Sequence, residues 1–169
     1  MRKLFLVFAV VAGFAANSFG QASVSATATA AATIVTPLAI ANAGNLNFGN
    51  IATNATGGSV VITPAGARST TGGVSLPTTI GTVSAAAFTV TGETDYTYAI
   101  TLPAGPTTID DNNGHTMSVG TWTSTPTPTG ELTGGTETLY IGATLTVGAS
   151  QAAGAYLSDT PFQVTVVYN

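Results

Sequence analysis

Few residues of this chain could do chemistry. Its 169 residues include one His, no Cys, three Lys or Arg and seven Asp or Glu. His115 could be combined with Asp110 or Asp111 and one of many serines into a nucleophilic triad. No serine sits in the G-x-S-x-G context that exposes a nucleophile on a sharp turn, so such a set is a coincidence of composition. Asp110-Asp111-Asn112-Asn113-Gly114 groups oxygen ligands, and Asp110, Asp111 and Asn113 are the candidates for a calcium ion. Asx residues followed by Gly also build ordinary hairpin turns, because they tolerate left-handed backbone angles; the turn is the first reading and calcium the alternative. Glu93 and Asp95 flank another turn, and no second carboxylate is placed opposite them as glycoside hydrolysis would require. The glycines, Gly72-Gly73 and Gly134-Gly135 among them, stand in no phosphate-cradling motif. Arg68 either pins a loop, by pairing with a carboxylate, or touches a partner. Tyr96, Tyr98, Tyr140, Tyr156, Tyr168 and Trp122 could form a sugar platform, but aromatics two apart in a strand are first read as core pairs. These residues predict no catalytic centre and no cofactor.

The compartment is read from the first residues. Arg2 and Lys3 precede the apolar run Leu4–Ala16, and small residues follow at Ser18 and Gly20. That is the pattern of a secretory signal peptide, with an apolar run shorter than the roughly 20 residues of a spanning helix. Residues 1–20 are expected to be removed, with cleavage after Gly20 or after Ala22, and the protein to be periplasmic, surface-bound or extracellular. From residue 21 onward one cation, Arg68, stands against seven acids, a formal net charge of −6. A chain with one cation cannot displace counterions from a nucleic acid or adhere to anionic lipid. The 149 residues left suffice for one core without disulfides.

The elements that must position these residues read as strands throughout. β-branched residues alternate with small polar ones, and Gly, Pro and Asx punctuate at short intervals. The expected strands are Ala22–Ala32 running on into Thr33–Ile40, then Leu46–Ile51, Ser59–Thr63, Ala86–Thr91, Tyr96–Leu102, His115–Thr123, Leu139–Val147 and Pro161–Tyr168. Ala86–Thr91 and Tyr96–Leu102 are expected to form a hairpin. Ser124–Gly135, rich in Pro, Thr and Gly, is expected to be a mobile excursion. In the last strand Phe162, Val164, Val166 and Tyr168 share one face, which predicts a core strand. The fold predicted is all-β, an immunoglobulin-like Greek-key sandwich of about seven to nine antiparallel strands in a single domain, 21–169.

Four segments carry a resemblance: Leu46-Asn47-Phe48-Gly49-Asn50-Ile51, Arg68-Ser69-Thr70-Thr71-Gly72-Gly73-Val74, Ala87–Gly92 and Gly142–Val147. They resemble a secreted bacterial family catalogued as domain of unknown function four-four-zero-two, which implies export and a β fold but no activity. More distantly, the opening ATATAAATIVTPLAIANAGNLNFGNI and the ending GAYLSDTPFQVTVVYN are similar to the two ends of spore-coat-U-like and archaic chaperone–usher pilin subunits of Gram-negative bacteria. That resemblance implies an incomplete sandwich completed by a donated strand. It also implies a periplasmic chaperone and an outer-membrane usher as partners. The chain departs from many such pilins in having Pro37 where they carry a cysteine, and its middle does not match them.

Residues 21–32 are the candidate donated or self-completing strand, with Val24, Ala26, Ala28 and Ala30 facing inward. The function expected is that of a non-enzymatic structural or surface subunit, a component of a pilus-like fibre, coat or adhesin, partnered by copies of itself or related subunits. The alternative is a stand-alone secreted module that binds glycan or matrix.

Overall fold

The computed structural model describes Gly20 and residues 22–169, so the expected leader, apart from Gly20, lies outside the described residues. The chain divides into two units, Met1–Ile34 and Val35–Asn169. In the first, residues 22–34 belong to no strand and are exposed throughout; Val24 and Ile34 are each 96 % exposed. The strand expected over Ala22–Ala32 and Thr33–Ile40 is therefore corrected. Pairing starts only at Ala39, two residues after Pro37, which has no N–H to give a ladder.

The second unit is all-β and antiparallel. Its strands are β1 (Ala39–Gly44), β2 (Asn47–Phe48), β3 (Ala52–Ile62), β4 (Arg68–Ser75), β5 (Val83–Ser84), β6 (Ala86–Thr91), β7 (Thr97–Thr101), β8 (Thr107–Asp110), β9 (Thr116–Thr125), β10 (Thr129–Glu131), β11 (Thr136–Val147) and β12 (Thr165–Tyr168). Nine of the twelve have four residues or more; β2, β5 and β10 are fragments. The spine is β11. One of its edges carries β9; the other carries β6 along Thr136–Ile141 and β3 along Ala143–Val147. Strand β1 extends the sheet beyond β6, β4 beyond β3 and β8 beyond β9. A smaller sheet has the order β10-β7-β12.

Period-two alternation explains the layering. On β11, Leu139, Ile141, Ala143, Leu145 and Val147 are all buried, whereas Thr138, Tyr140 and Thr146 are exposed. The inner row serves two clusters. Ala143, Leu145 and Val147 pack with Phe48, Val60, Ile62, Val74 and Val119. Leu139 and Ile141 pack with Ala86 and Val90 on their own sheet, with Tyr98 of the smaller one, and with Leu132 and Val164, which directly adjoin β10 and β12. That second cluster is what joins the layers into a sandwich.

Three further expectations are corrected. Strands β6 and β7 are not a hairpin: β6 pairs with β1 and β11, while β7 pairs with β10 and β12. The chain changes layers between them, and Asp95 and Tyr96 bond to Leu132 instead. Ser124–Gly135 is no mobile excursion, since it holds β10 and the fully buried Leu132. A fully buried leucine stabilises by about 1.5–3 kcal/mol, enough to fix a short segment that Pro and Gly alone would leave loose. Finally, regular pairing covers only Asn47–Phe48 of Leu46–Ile51, and only Thr165–Tyr168 of Pro161–Tyr168.

Candidate functional site

The Asp110–Gly114 loop is the turn of the β8–β9 hairpin. Three of its carboxylate oxygens bond within the loop itself. Asp110 Oδ1 accepts the Asn112 N–H (2.9 Å), and Asp111 Oδ1 accepts those of Asn113 (2.9 Å) and His115 (3.1 Å). Asp111 Oδ2 lies 2.7 Å from His115 Nδ1, and Asn113 Nδ2 donates to Asp111 O. Asn112 and Gly114 take positive φ, 58° and 90°. Burial of the Asp111 carboxyl raises its pKa, but the His115 ring and the two backbone N–H groups outweigh it and hold the value down at about 2. Among the described residues no three His, Cys, Asp or Glu side chains converge as a metal cage.

Arg68 does pin a loop, though with carbonyls rather than a carboxylate. Its Nη1 donates to Phe48 O (2.8 Å) and Asn50 O (3.2 Å). The pinned segment is Asn47-Phe48-Gly49-Asn50, where the Asn47 side chain accepts the Gly49 N–H. Gly49 sits at φ 70°, and a Cβ there would meet Arg68 Nη1 and Val83 Cγ2 at 2.7 Å, so a glycine is required.

The aromatics form no common platform. Tyr98 is fully buried and donates to Glu137 Oε2 (2.8 Å), which also accepts the Glu131 N–H (2.8 Å). Burial, with Glu137 beside it, pushes the Tyr98 phenol far above its ordinary value. Tyr140 and Tyr96 are each 44 % exposed, and Tyr96 stands edge-on to Tyr168.

The sequence placed Phe162, Val164, Val166 and Tyr168 on one face, and all four pack in the second cluster, with Gln163, Thr165 and Val167 exposed. Tyr168 does more than pack. Its hydroxyl donates to Thr36 O (2.8 Å) and accepts the Glu93 N–H (2.7 Å), while the Glu93 carboxylate accepts the Thr36 N–H (2.7 Å). The Thr36 bond lowers the pKa of Glu93. Thr36 is thus clamped on both backbone groups, which seats the segment leading into β1 beside β12. Among the described residues β1 pairs only with β6 and β12 only with β7, so each keeps one open edge. Leu38, Ile40, Phe162 and Val166, which border those edges, are only partly buried.

A second feature is a groove of about 420 Å³ on the outer face of the larger sheet. Its floor is Ser118 and Gly120 of β9 with Thr144 and Thr146 of β11, and its wall is Leu102-Pro103-Ala104-Gly105-Pro106. Trp122 Nε1 donates to Gly105 O (3.0 Å) and ties the wall down. Gly120 lets Pro106 come close; a Cβ there would sit 3.4 Å from the proline ring. At the rim is Thr121, in a bulge of β9 against β11, with φ 49°. A β-branched residue there is an outlier, at a cost of roughly 1–3 kcal/mol. No lining residue is charged. The strand Leu139–Val147 was legible in the sequence; the bulge and the wall were not, because Thr121 carries no turn signal and Pro103-Ala104-Gly105-Pro106 reads only as a connection.

The profile of a family described only as a domain of unknown function, DUF4402, matches residues 38–168. The chain belongs to that family. The DUF4402 match begins at Leu38 and ends at Tyr168, and so spans β1 through β12, leaving residues 22–34 outside. No curated protein and no solved structure matches the chain.

Proposed function

We propose that this DUF4402 protein is an exported, non-enzymatic structural subunit of a surface assembly, a pilus-like fibre, coat or adhesin component, whose copies join by β-strand complementation. One observation carries the reading: residues 22–34 are exposed and strandless in the single chain, yet have the composition of a strand, alternating small apolar and hydroxyl residues with no charge, Pro or Gly. Exposing Val24 and Ile34 to water gains nothing, whereas backbone pairing contributes roughly 0.5–1.5 kcal/mol per hydrogen bond. Open edges are normally defended by Lys, Pro or bulges. Here β1 has Pro37 before it and a register shift at Asn42/Gly44, but no Lys occurs after residue 3. In the proposed complex the segment of one copy lies along an open edge of the next, with Val24, Ala26, Ala28 and Ala30 inward. The similarity of the two chain ends to pilin subunits supports the same reading, and with it an assembly route through a periplasmic chaperone and an outer-membrane usher.

Deleting residues 21–32 tests it. The truncated protein should keep the melting temperature of the β unit, fail to form multimers by light scattering, and bind a synthetic peptide of residues 21–32. A truncated protein that assembles as the full chain does would sink the proposal. A second reading, a stand-alone glycan- or matrix-binding module, is favoured by the uncharged groove.

A further inference from the structure

We infer that the groove between the Pro103–Pro106 wall and the β9–β11 floor is a binding site for a neutral glycan. The inference rests on the binding-module reading for its ligand class, and it does not require the protein to act alone.

The floor belongs to a row of hydroxyls that crosses the sheet. Thr108, Ser118, Thr146, Ser59 and Thr71 stand opposite one another in consecutive strands, β8, β9, β11, β3 and β4. Adjacent strands lie about 4.8 Å apart, so five hydroxyls form one row across the sheet, passing through the groove at Ser118 and Thr146. Ser59 and Thr71 already bond to each other at 2.7 Å. Each hydroxyl offers one donor and two acceptor sites.

Three properties narrow the ligand class. An apolar ligand would bury hydroxyls without partners, which is unfavourable. An anionic ligand would find no cation: the lining has none, and the guanidinium of Arg68 is turned onto Phe48 O and Asn50 O. The excess of acids would repel it further. A peptide recognised through its backbone needs a strand edge, and the groove lies on a sheet face. A neutral polyol both donates and accepts at every position, and its C–H faces can rest on Pro103, Pro106 and the exposed part of Trp122.

The groove is also built ahead of any ligand. Trp122 anchors the wall through Gly105, and the bulge holds Thr121 at the rim in a conformation that glycine would adopt without strain. Backbone strain of this kind clusters at ligand sites, which is why Thr121 points to the rim.

The experiment is sedimentation of the full-length purified protein with insoluble mannan, xylan, cellulose and chitin, followed by titration with soluble oligomers of whichever polymer retains it. Thr121→Gly and the double variant Thr144→Val/Thr146→Val are compared with the parent. Retention by at least one neutral polymer is expected, with about tenfold weaker binding in both variants, the loss of roughly one hydrogen bond. Their melting temperatures should be unchanged or higher. Retention by neutral polymers with full affinity in both variants would overturn the site and leave the binding-module reading standing. Retention by none, or by sulfated or uronic glycans only, would overturn both. Binding of the residue 21–32 peptide in the groove, lost in these variants, would instead make it a strand-docking surface and overturn the glycan assignment.

Discussion

Asp111 shows how a residue with the right chemistry is committed to structure instead. Its carboxylate closes the β8–β9 turn on two backbone N–H groups and the His115 ring, and the ionised form is held at a pKa of about 2 in the fold. An unfolded chain binds a proton at that side chain near the ordinary value of about 3.9. Since the folded value is the lower, the contribution is complete above the unfolded pKa and is lost as pH falls from about 4 towards 2. Glu93, lowered by its bond to Thr36, acts in the same direction. Urea midpoints measured across that range should fall steeply for the parent protein. They should fall less for Asp111→Asn, which will already be less stable at pH 7; parallel curves would show that the carboxylate does not matter. The motif Asp-Asp-Asn-Asn-Gly was legible as a turn, but the His115 contact was not, since i to i+4 proximity in a hairpin depends on loop geometry that no residue type announces.

Among the elements, legibility followed periodicity. The alternation in Leu139–Val147 located β11, and that in Phe162–Tyr168 put four side chains on the face that packs in or against the core. Adjacency in sequence was the weaker guide. Ala86–Thr91 and Tyr96–Leu102, separated by a turn-like Gly92-Glu93-Thr94-Asp95, read as a hairpin, and they belong to different sheets. What decides against the hairpin is Leu132, forty residues away, which takes the Asp95 and Tyr96 bonds and fills the cavity between the layers. Nothing local to either strand carries that information. The same cause hid β10, whose three residues are held by the packing of their neighbour. The final strand can be tested by register. Val164 is 8 % exposed and Thr165 is exposed, so Val164→Asp would bury an unpaired charge and should prevent folded protein from accumulating. Thr165→Asp should shift the melting temperature by only a few degrees. Equal tolerance at the two sites, seen in soluble yield and circular dichroism, would show the strand to be rotated.

At the scale of the whole molecule, composition told what the chain lacks and topology told what it keeps open. Low charge and regular alternation predicted an all-β fold. They could not reveal that the unit begins at Val35, because Thr33–Ile40 continues the pattern of the preceding alanines and threonines unbroken except at Pro37. The isolation of Arg68 has a practical consequence. Arg2 and Lys3 are the only other Lys or Arg residues, so from residue 4 onward trypsin has a single bond to cut, Arg68–Ser69. That bond opens β4, where Arg68 is paired with Ile62 and its side chain is held by Phe48 O and Asn50 O. A protease cannot take an extended substrate from a paired strand, so each cut records one opening of the β3–β4 border. When reclosing outpaces cleavage, the digestion rate measures the open population directly. The protein therefore carries its own single-event gauge of local breathing, read as two fragments by mass spectrometry. Slow digestion, accelerated by Gly49→Ala as the pinned loop is forced away from Arg68, is the expected record; immediate cutting under native conditions would mean that the border is not closed in solution.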